Sequence, residues 1–243
     1  MRILTFSKRC AKEILRDPVN LAFGLGFPLS LLLLLSAIQA NIPVELFAIE
    51  SLAPGVAVFG LSFMTLFSAT LVAKDRGSSF LQRLYTTPLK PHEFILGYML
   101  PVIPMSVGQS AICYIAALAF GFPISGYILL AMLVTVPISV LYISFGLFVG
   151  SVASVKAVGG ICGGLFTNLS AWLSGVWFDI SLVGGVFEKL ANLLPFVHAV
   201  ELQRAVISGN IDGTFVHLAV VLAYAAVMTV LAVVAFLKQM KKQ

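Results

Sequence analysis

The pattern of apolar and polar positions divides this chain into long blocks. Val19–Ile38, Leu52–Ala73, Ile95–Phe120, Tyr127–Gly150, Val158–Phe178 and Phe215–Leu237 contain no Asp, Glu, Lys or Arg. Each offers about the 20 apolar residues that a bilayer-crossing helix needs. A charge at mid-bilayer costs roughly 3 kcal/mol or more, so runs this free of charge predict six transmembrane helices. Pro28, Pro101, Pro104 and Pro137 lie inside runs; proline kinks a membrane helix and is tolerated where neighbours satisfy the freed carbonyls. The chain reads as an all-α membrane protein, one transmembrane domain over residues 1–243.

The segments between the runs carry their own patterns. In residues 1–17, Ile3, Phe6, Cys10 and Ile14 recur at steps of three and four, and Lys8, Lys12 and Arg16 form a second row. That periodicity predicts an amphipathic helix, ended by Asp17-Pro18. It serves either as a basic anchor on the membrane surface or as a contact for a partner. Loop 74–94 contains KDRGSSFLQRLYTTPLKPHE, longer than a minimal connection. Ser78 or Ser79 can cap a helix reaching about Tyr85, stopped by Thr86, Thr87 and Pro88. Phe80, Leu81, Leu84 and Tyr85 would share one side of it, apart from Arg76, Gln82 and Arg83. Such a helix needs either a membrane surface or a groove in a soluble protein. Segment 186–207 is apolar around Glu188, Glu201 and Arg204, is divided by Pro195, and has halves too short to span. It predicts a helical hairpin, either dipping into the outer leaflet or lying on it, with Glu201 and Arg204 placed to pair. The fifth run carries Gly159, Gly160, Gly163 and Gly164. These are two interleaved small-residue patterns, suited to close helix packing within the chain or in a dimer.

Composition and charge sharpen this reading. The chain is 60% hydrophobic and 10% charged, against about 25% charged for soluble domains. Lys and Arg number five in the N-terminal segment, four in loop 74–94, one in loop 151–157 and three in the C-terminal tail. The intervening segments 39–51 and 121–126 have none, and 179–214 has two. Thirteen against two places both termini and loop 74–94 in the cytoplasm. The net charge of +5 is thus topological, and nucleic acid is not an expected partner. The first apolar run begins near Val19, after a charged segment, and is long enough to span, so it reads as a retained helix and not as a secretory signal.

Catalytic chemistry is absent from the pattern. There is no G-x-x-x-x-G-K-[ST], HExxH or GxSxG. Cys10, Cys113 and Cys162 lack metal-ligand spacing, as do His92, His198 and His217. Leu173–Trp177 (LSGVW) begins like an ATPase signature but lies inside an apolar run. A non-enzymatic chain with no cofactor or metal of its own is expected.

Five elements between Leu52 and Leu100 together resemble the ABC type-2 permease family, the membrane subunits of bacterial ABC exporters. They are Pro54-Gly55, Asp75-Arg76-Gly77-Ser78, Leu81-Gln82-Arg83-Leu84, Thr87-Pro88 and Glu93-Phe94-Ile95-Leu96-Gly97. Glu is commoner than Asp at the acidic position. Leu194-Pro195 with Glu201 and Arg204, the basic N-terminal helix, six spans and the length extend the resemblance over nearly the whole chain. It implies a half-transporter: two permeases pair, as homodimer or heterodimer, and dock two ATPase subunits that bind ATP and Mg. Asp75–Pro88 would be the coupling helix in the ATPase groove, residues 1–17 the connecting helix, and loop 151–157 a smaller contact. The cargo path would run between two permeases along the first, second and fifth spans.

Two rivals remain open on sequence. An ion-coupled secondary transporter usually places ionisable residues or broken helices at mid-membrane, and these runs have no acid or base. A scaffold or receptor subunit would not need loop 74–94. Aromatic Phe63, Phe67, Phe166 and Trp172 with polar Ser62, Thr65, Asn168 and Ser170 favour an amphipathic cargo such as a drug, antibiotic, peptide or lipid over a free ion.

Overall fold

The apolar runs become helices that pack around one central member. The computed structural model describes residues 2–78 and 91–240, and among these every regular element is helical. Helix α1 is Arg2–Leu15. Helix α2, Pro18–Gln39, is α-helical at both ends with a π-helical turn at Ala22–Gly26. Then follow α3 (Ile49–Arg76), α4 (Pro91–Leu118) and α5 (Tyr127–Val152). Residues 155–173 form α6 in three pieces, with a π-helical centre at Gly159–Phe166. Helices α7 (Gly185–Leu193), α8 (Pro195–Ile207) and α9 (Ile211–Met240) complete the chain. Helices α2, α3, α4, α5 and α9 are long and apolar enough to cross a membrane. The fifth predicted span, Val158–Phe178, is instead the segmented α6, which stops at Leu173. Gly175, at φ +70°, turns the chain there in a left-handed conformation that favours glycine. Trp177 and Phe178 therefore leave the helix.

Helix α3 is the centre. In its most apolar stretch 89% of residues are buried, against 22% in α2 and 33% in α9. It packs on α5, α4, α6, α8 and α2. Glycines set the closest approaches. A side chain at Gly146 or Gly150 on α5 would strike the α3 backbone at Thr65 or Ala69. Gly60 on α3 makes room for Gln109 of α4, and Gly24 on α2 receives the ring of Phe67. Polar groups inside the bundle then bond across helices, as in a membrane interior where water is absent. Thr65 donates to the Tyr142 carbonyl at 2.8 Å, and the Tyr142 and Ser170 hydroxyls meet at 2.9 Å. Gln203 of α8 accepts from Tyr114 at 2.7 Å and donates to the Ala131 carbonyl and to Thr135, at 3.0 and 2.7 Å.

Helix α1 has three sides. Phe6, Cys10 and Ile14 are buried, with the Phe6 ring edge-on to Tyr98 and Phe94 at centroid distances of 4.9 and 5.8 Å. Gly97 lets that ring in, because a Cβ there would overlap Phe6. Leu4 and Leu15 form an exposed apolar edge, and Lys8, Lys12 and Arg16 an exposed basic one.

Candidate functional site

The polar residues at the basic end of the bundle converge on Asp75. This carboxylate, on the last turn of α3, is 2% exposed. A carboxylate taken so far from water needs opposite charge and donors, and two elements supply them. Arg9 of α1 grips it with both terminal nitrogens, one at 2.6 Å from Oδ1 and the other on Oδ2. Tyr98 of α4 donates its hydroxyl to Oδ2 at 2.9 Å. The same guanidinium meets Glu13 at 2.7 Å, one turn along α1. Burial pushes the neighbouring Cys10 thiol up to about 12, Arg9 opposing and Asp75 adding to the rise.

The next residue extends the brace in another direction. Arg76 donates to the carbonyls of Ser151 and Ala153, at the corner where α5 ends and α6 begins. Ser154 caps the first turn of α6 by accepting from the Ala157 N–H at 3.3 Å. Gly77 ends α3, and Ser78 donates to the Asp75 carbonyl at 2.9 Å. Two adjacent residues at the start of loop 74–94 thus tie α1, α3, α4 and the α5–α6 corner together. Helix-end carbonyls that would otherwise lack partners are satisfied in the process.

The predicted ATPase-coupling residues therefore divide. Asp75 and Arg76 turn inward onto this brace and Gly77 closes the helix, while Leu81, Arg83, Leu84, Thr87 and Pro88 lie outside the described residues. Of the residues placed on a translocation path, Thr65, Phe166 and Ser170 share Tyr142 as a neighbour. Phe63 packs edge-on with Phe59 and Phe27, and Phe67 and Thr65 are buried against neighbouring helices. Ser62 is buried, with no hydrogen-bond partner among the described residues. Phe166 and Ser170 join the Tyr142 cluster. Asn168 is exposed and donates to the Gly164 carbonyl at 2.8 Å. Among the described residues, a Cβ at Gly159, Gly160 or Gly164 would meet nothing within 4 Å, and one at Gly163 only the Leu66 side chain. Among the described residues, then, close packing inside the chain falls on other glycines, Gly146 and Gly150 with Gly24, Gly60 and Gly97. Arg9 and Tyr98 escaped the sequence reading, since their link to Asp75 crosses 66 and 23 positions, beyond any periodicity.

The opposite end holds a cleft of about 490 Å³ between loop residues near Glu45, the turn at 175–181, α7 and α8. Pro195 starts α8 after the extended Leu194, giving the helix–turn–helix outline. Arg204 meets Glu201 at 2.8 Å and donates to the Gly175 and Ser51 carbonyls at 3.0 and 3.4 Å. Glu188 and Asp179 also line the cleft. The Ser181 backbone N–H, 2.9 Å from Asp179, holds that carboxyl below its usual range.

A helical bundle with five membrane-length helices and a polar brace at one end defines a multi-pass membrane protein. The family model of ABC-2 type transporters matches residues 1–208, and the chain belongs to that family, the membrane components of ABC transporters, which work with ABC ATPase subunits. It is 25% identical over 222 residues to Nodulation protein J of Sinorhizobium fredii, covering 90% of this chain and 82% of that protein. It is 29% identical over 161 residues to ABC transporter G family member 20 of Dictyostelium discoideum, covering 64% of this chain but only 22% of that longer protein.

Proposed function

We propose that this chain is the permease half of an ATP-driven exporter in the cell (inner) membrane. Two permeases, identical or paralogous, would dock two cytoplasmic ATPase subunits that bind ATP and Mg and carry out hydrolysis, this chain being non-catalytic. Both termini and loop 74–94 would face the cytoplasm. The observation that carries the reading is the brace: the start of the loop resembling a coupling helix is anchored through Asp75 to α1 and α4 and through Arg76 to the α5–α6 corner. A push on that loop by closing ATPases reaches several helices at once, and α1 would be the connecting helix through which part of it passes.

Helix α6 would be the remaining span, fifth in chain order. Its 19 residues, 155–173, fall within the range of about 17–25 that a membrane-crossing helix uses. The open faces of Gly159, Gly160 and Gly164 support a second permease copy at that helix. Helices α7 and α8, with Pro195, Glu201 and Arg204, would form the outer re-entrant hairpin. The cargo would be amphipathic, a drug, antibiotic, peptide or lipid, so multidrug efflux is one form of this activity. Its path would draw on Ser62, Phe63, Thr65, Phe67, Phe166, Asn168 and Ser170 after the two halves rearrange.

Recovery of the ATPase subunit from detergent-solubilised membranes tests the coupling element. Leu84→Ala with Arg83→Ala should leave the permease inserted and cut ATPase recovery by about thirtyfold, the effect of losing a buried anchor worth roughly 2 kcal/mol. Undiminished recovery would remove loop 74–94 as the docking element.

A further inference from the structure

A groove of about 840 Å³ runs along the basic edge of α1 to the foot of α2 and the end of α3. Lys8, Lys12 and Arg16 line it at successive turns, and Lys74 of α3 stands at its far end. The acids in it are engaged. Glu13 meets Arg9, which also holds Asp75. Asp17 caps α2 by accepting from the Asn20 backbone and side-chain nitrogens at 3.1 and 2.8 Å, and it lies 3.7 Å from Lys74. Among the described residues, Lys8, Lys12 and Arg16 have no ion-pair partner. Three uncompensated cations at one helix edge make a concave site for an anion.

What lies beside the groove decides which anion. Leu15 and Val19, at the α1–α2 junction, are 63% and 62% exposed, and Phe23, one turn further up α2, is 52% exposed. Leu4, 67% exposed, continues the same apolar edge of α1. A free phosphate has no use for such a strip, and an acidic cytoplasmic protein would not reach Val19 and Phe23, which belong to the first apolar run. A phospholipid has both parts, a negative headgroup for the cations and acyl chains for Leu15, Val19 and Phe23. Basic pockets beside membrane helices on the cytoplasmic side suit such headgroups.

We propose that the groove formed by Lys8, Lys12 and Arg16 beside Lys74 binds the headgroup of an anionic phospholipid, its acyl chains lying against Leu15, Val19 and Phe23. The lipid would clamp α1 to the foot of the first span, next to the Arg9–Asp75 pair, and so hold the proposed connecting helix in its docked position. This rests on the membrane topology proposed above, with the groove at the inner-leaflet surface, and it requires no ATPase.

The test uses the full-length permease purified alone and native mass spectrometry of lipid retained after exchange from mixed phosphatidylglycerol and phosphatidylcholine micelles. The wild type should retain phosphatidylglycerol in preference to phosphatidylcholine. Each cation near an anionic headgroup contributes roughly a fivefold gain in affinity. Lys8→Gln with Lys12→Gln and Arg16→Gln should therefore lower phosphatidylglycerol retention by at least about tenfold. Lys156→Gln with Lys238→Gln, which removes charge elsewhere, should leave retention unchanged; an equal loss there would mean bulk charge and not a site. Displacement of the lipid by millimolar inorganic phosphate would point to a free-anion site and overturn the proposal. Undiminished lipid retention in the triple variant, together with lost ATPase recovery, would make the groove a protein-docking surface instead. Failure of wild-type permease to recover any ATPase would count against the transporter reading while leaving the lipid measurement intact.

Discussion

At the scale of single residues, the account turns on Asp75. Its carboxylate is stable in a near-dry position only because Arg9 and Tyr98 both bond it. Leaving such a group half-satisfied typically costs about 1–3 kcal/mol. Asp75→Asn keeps the shape and removes the charge that holds Arg9, so α1 should detach more readily from α4. Cys10 reports this. While docked, its thiol is raised to about 12 by burial, so at neutral pH the reactive thiolate is scarce and screened. In a Cys113→Ser, Cys162→Ser background, maleimide labelling of Cys10 should be slow near pH 7, rising only toward strongly alkaline pH. In Asp75→Asn the onset should fall toward the ordinary thiol range near 8.5. Identical pH profiles would mean that Asp75 does not hold α1. Asp75 and Arg76 stand out in the local motif, but their bonding partners do not. An exposed ATPase contact and an inward brace use the same residue types, and the partners lie far along the chain.

At the scale of elements, hydrophobic periodicity located the long helices well. Leu52–Ala73 falls inside α3, and Tyr127–Gly150 inside α5. It located α6 less well. Its glycines support a π-helical centre in place of a regular helix, and Ser174-Gly175 ends it before Trp177; apolar character alone does not reveal such a turn. The small-residue pattern likewise drew attention to Gly160 and Gly164, whereas among the described residues Gly146 and Gly150 lie directly against the α3 backbone. The two sets should respond differently. Gly146→Leu pushes a side chain into the α3 backbone, which cannot yield as a side chain can, so it should exceed the ordinary overpacking cost of about 1–3 kcal/mol. Monomeric, folded permease should be lost. Gly160→Leu should leave monomer yield and thermal midpoint near wild type and reduce dimer and transport only. Chromatography in mild detergent, with a thermal melt of the monomer peak, separates the two. Equal loss of monomer in both variants would show that Gly160 packs within the chain.

At the scale of the whole molecule, charge asymmetry and the brace point to the same end of the bundle. Thirteen of the fifteen Lys and Arg residues fall in alternate segments that include α1 and loop 74–94, and the Asp75 and Arg76 bonds gather four elements there. The opposite end carries instead the cleft with Glu45, Asp179, Glu188 and Glu201. The central claim is that the braced end receives the ATPase. Ser78 and Glu45 are both exposed and belong to the two opposite ends. In a cysteine-free background, Ser78→Cys carrying a photoactivatable crosslinker should trap the ATPase subunit in native membranes, whereas Glu45→Cys with the same reagent should trap none. A crosslink from Glu45, or none from Ser78 while the ATPase still co-purifies, would contradict both the orientation and the site of coupling.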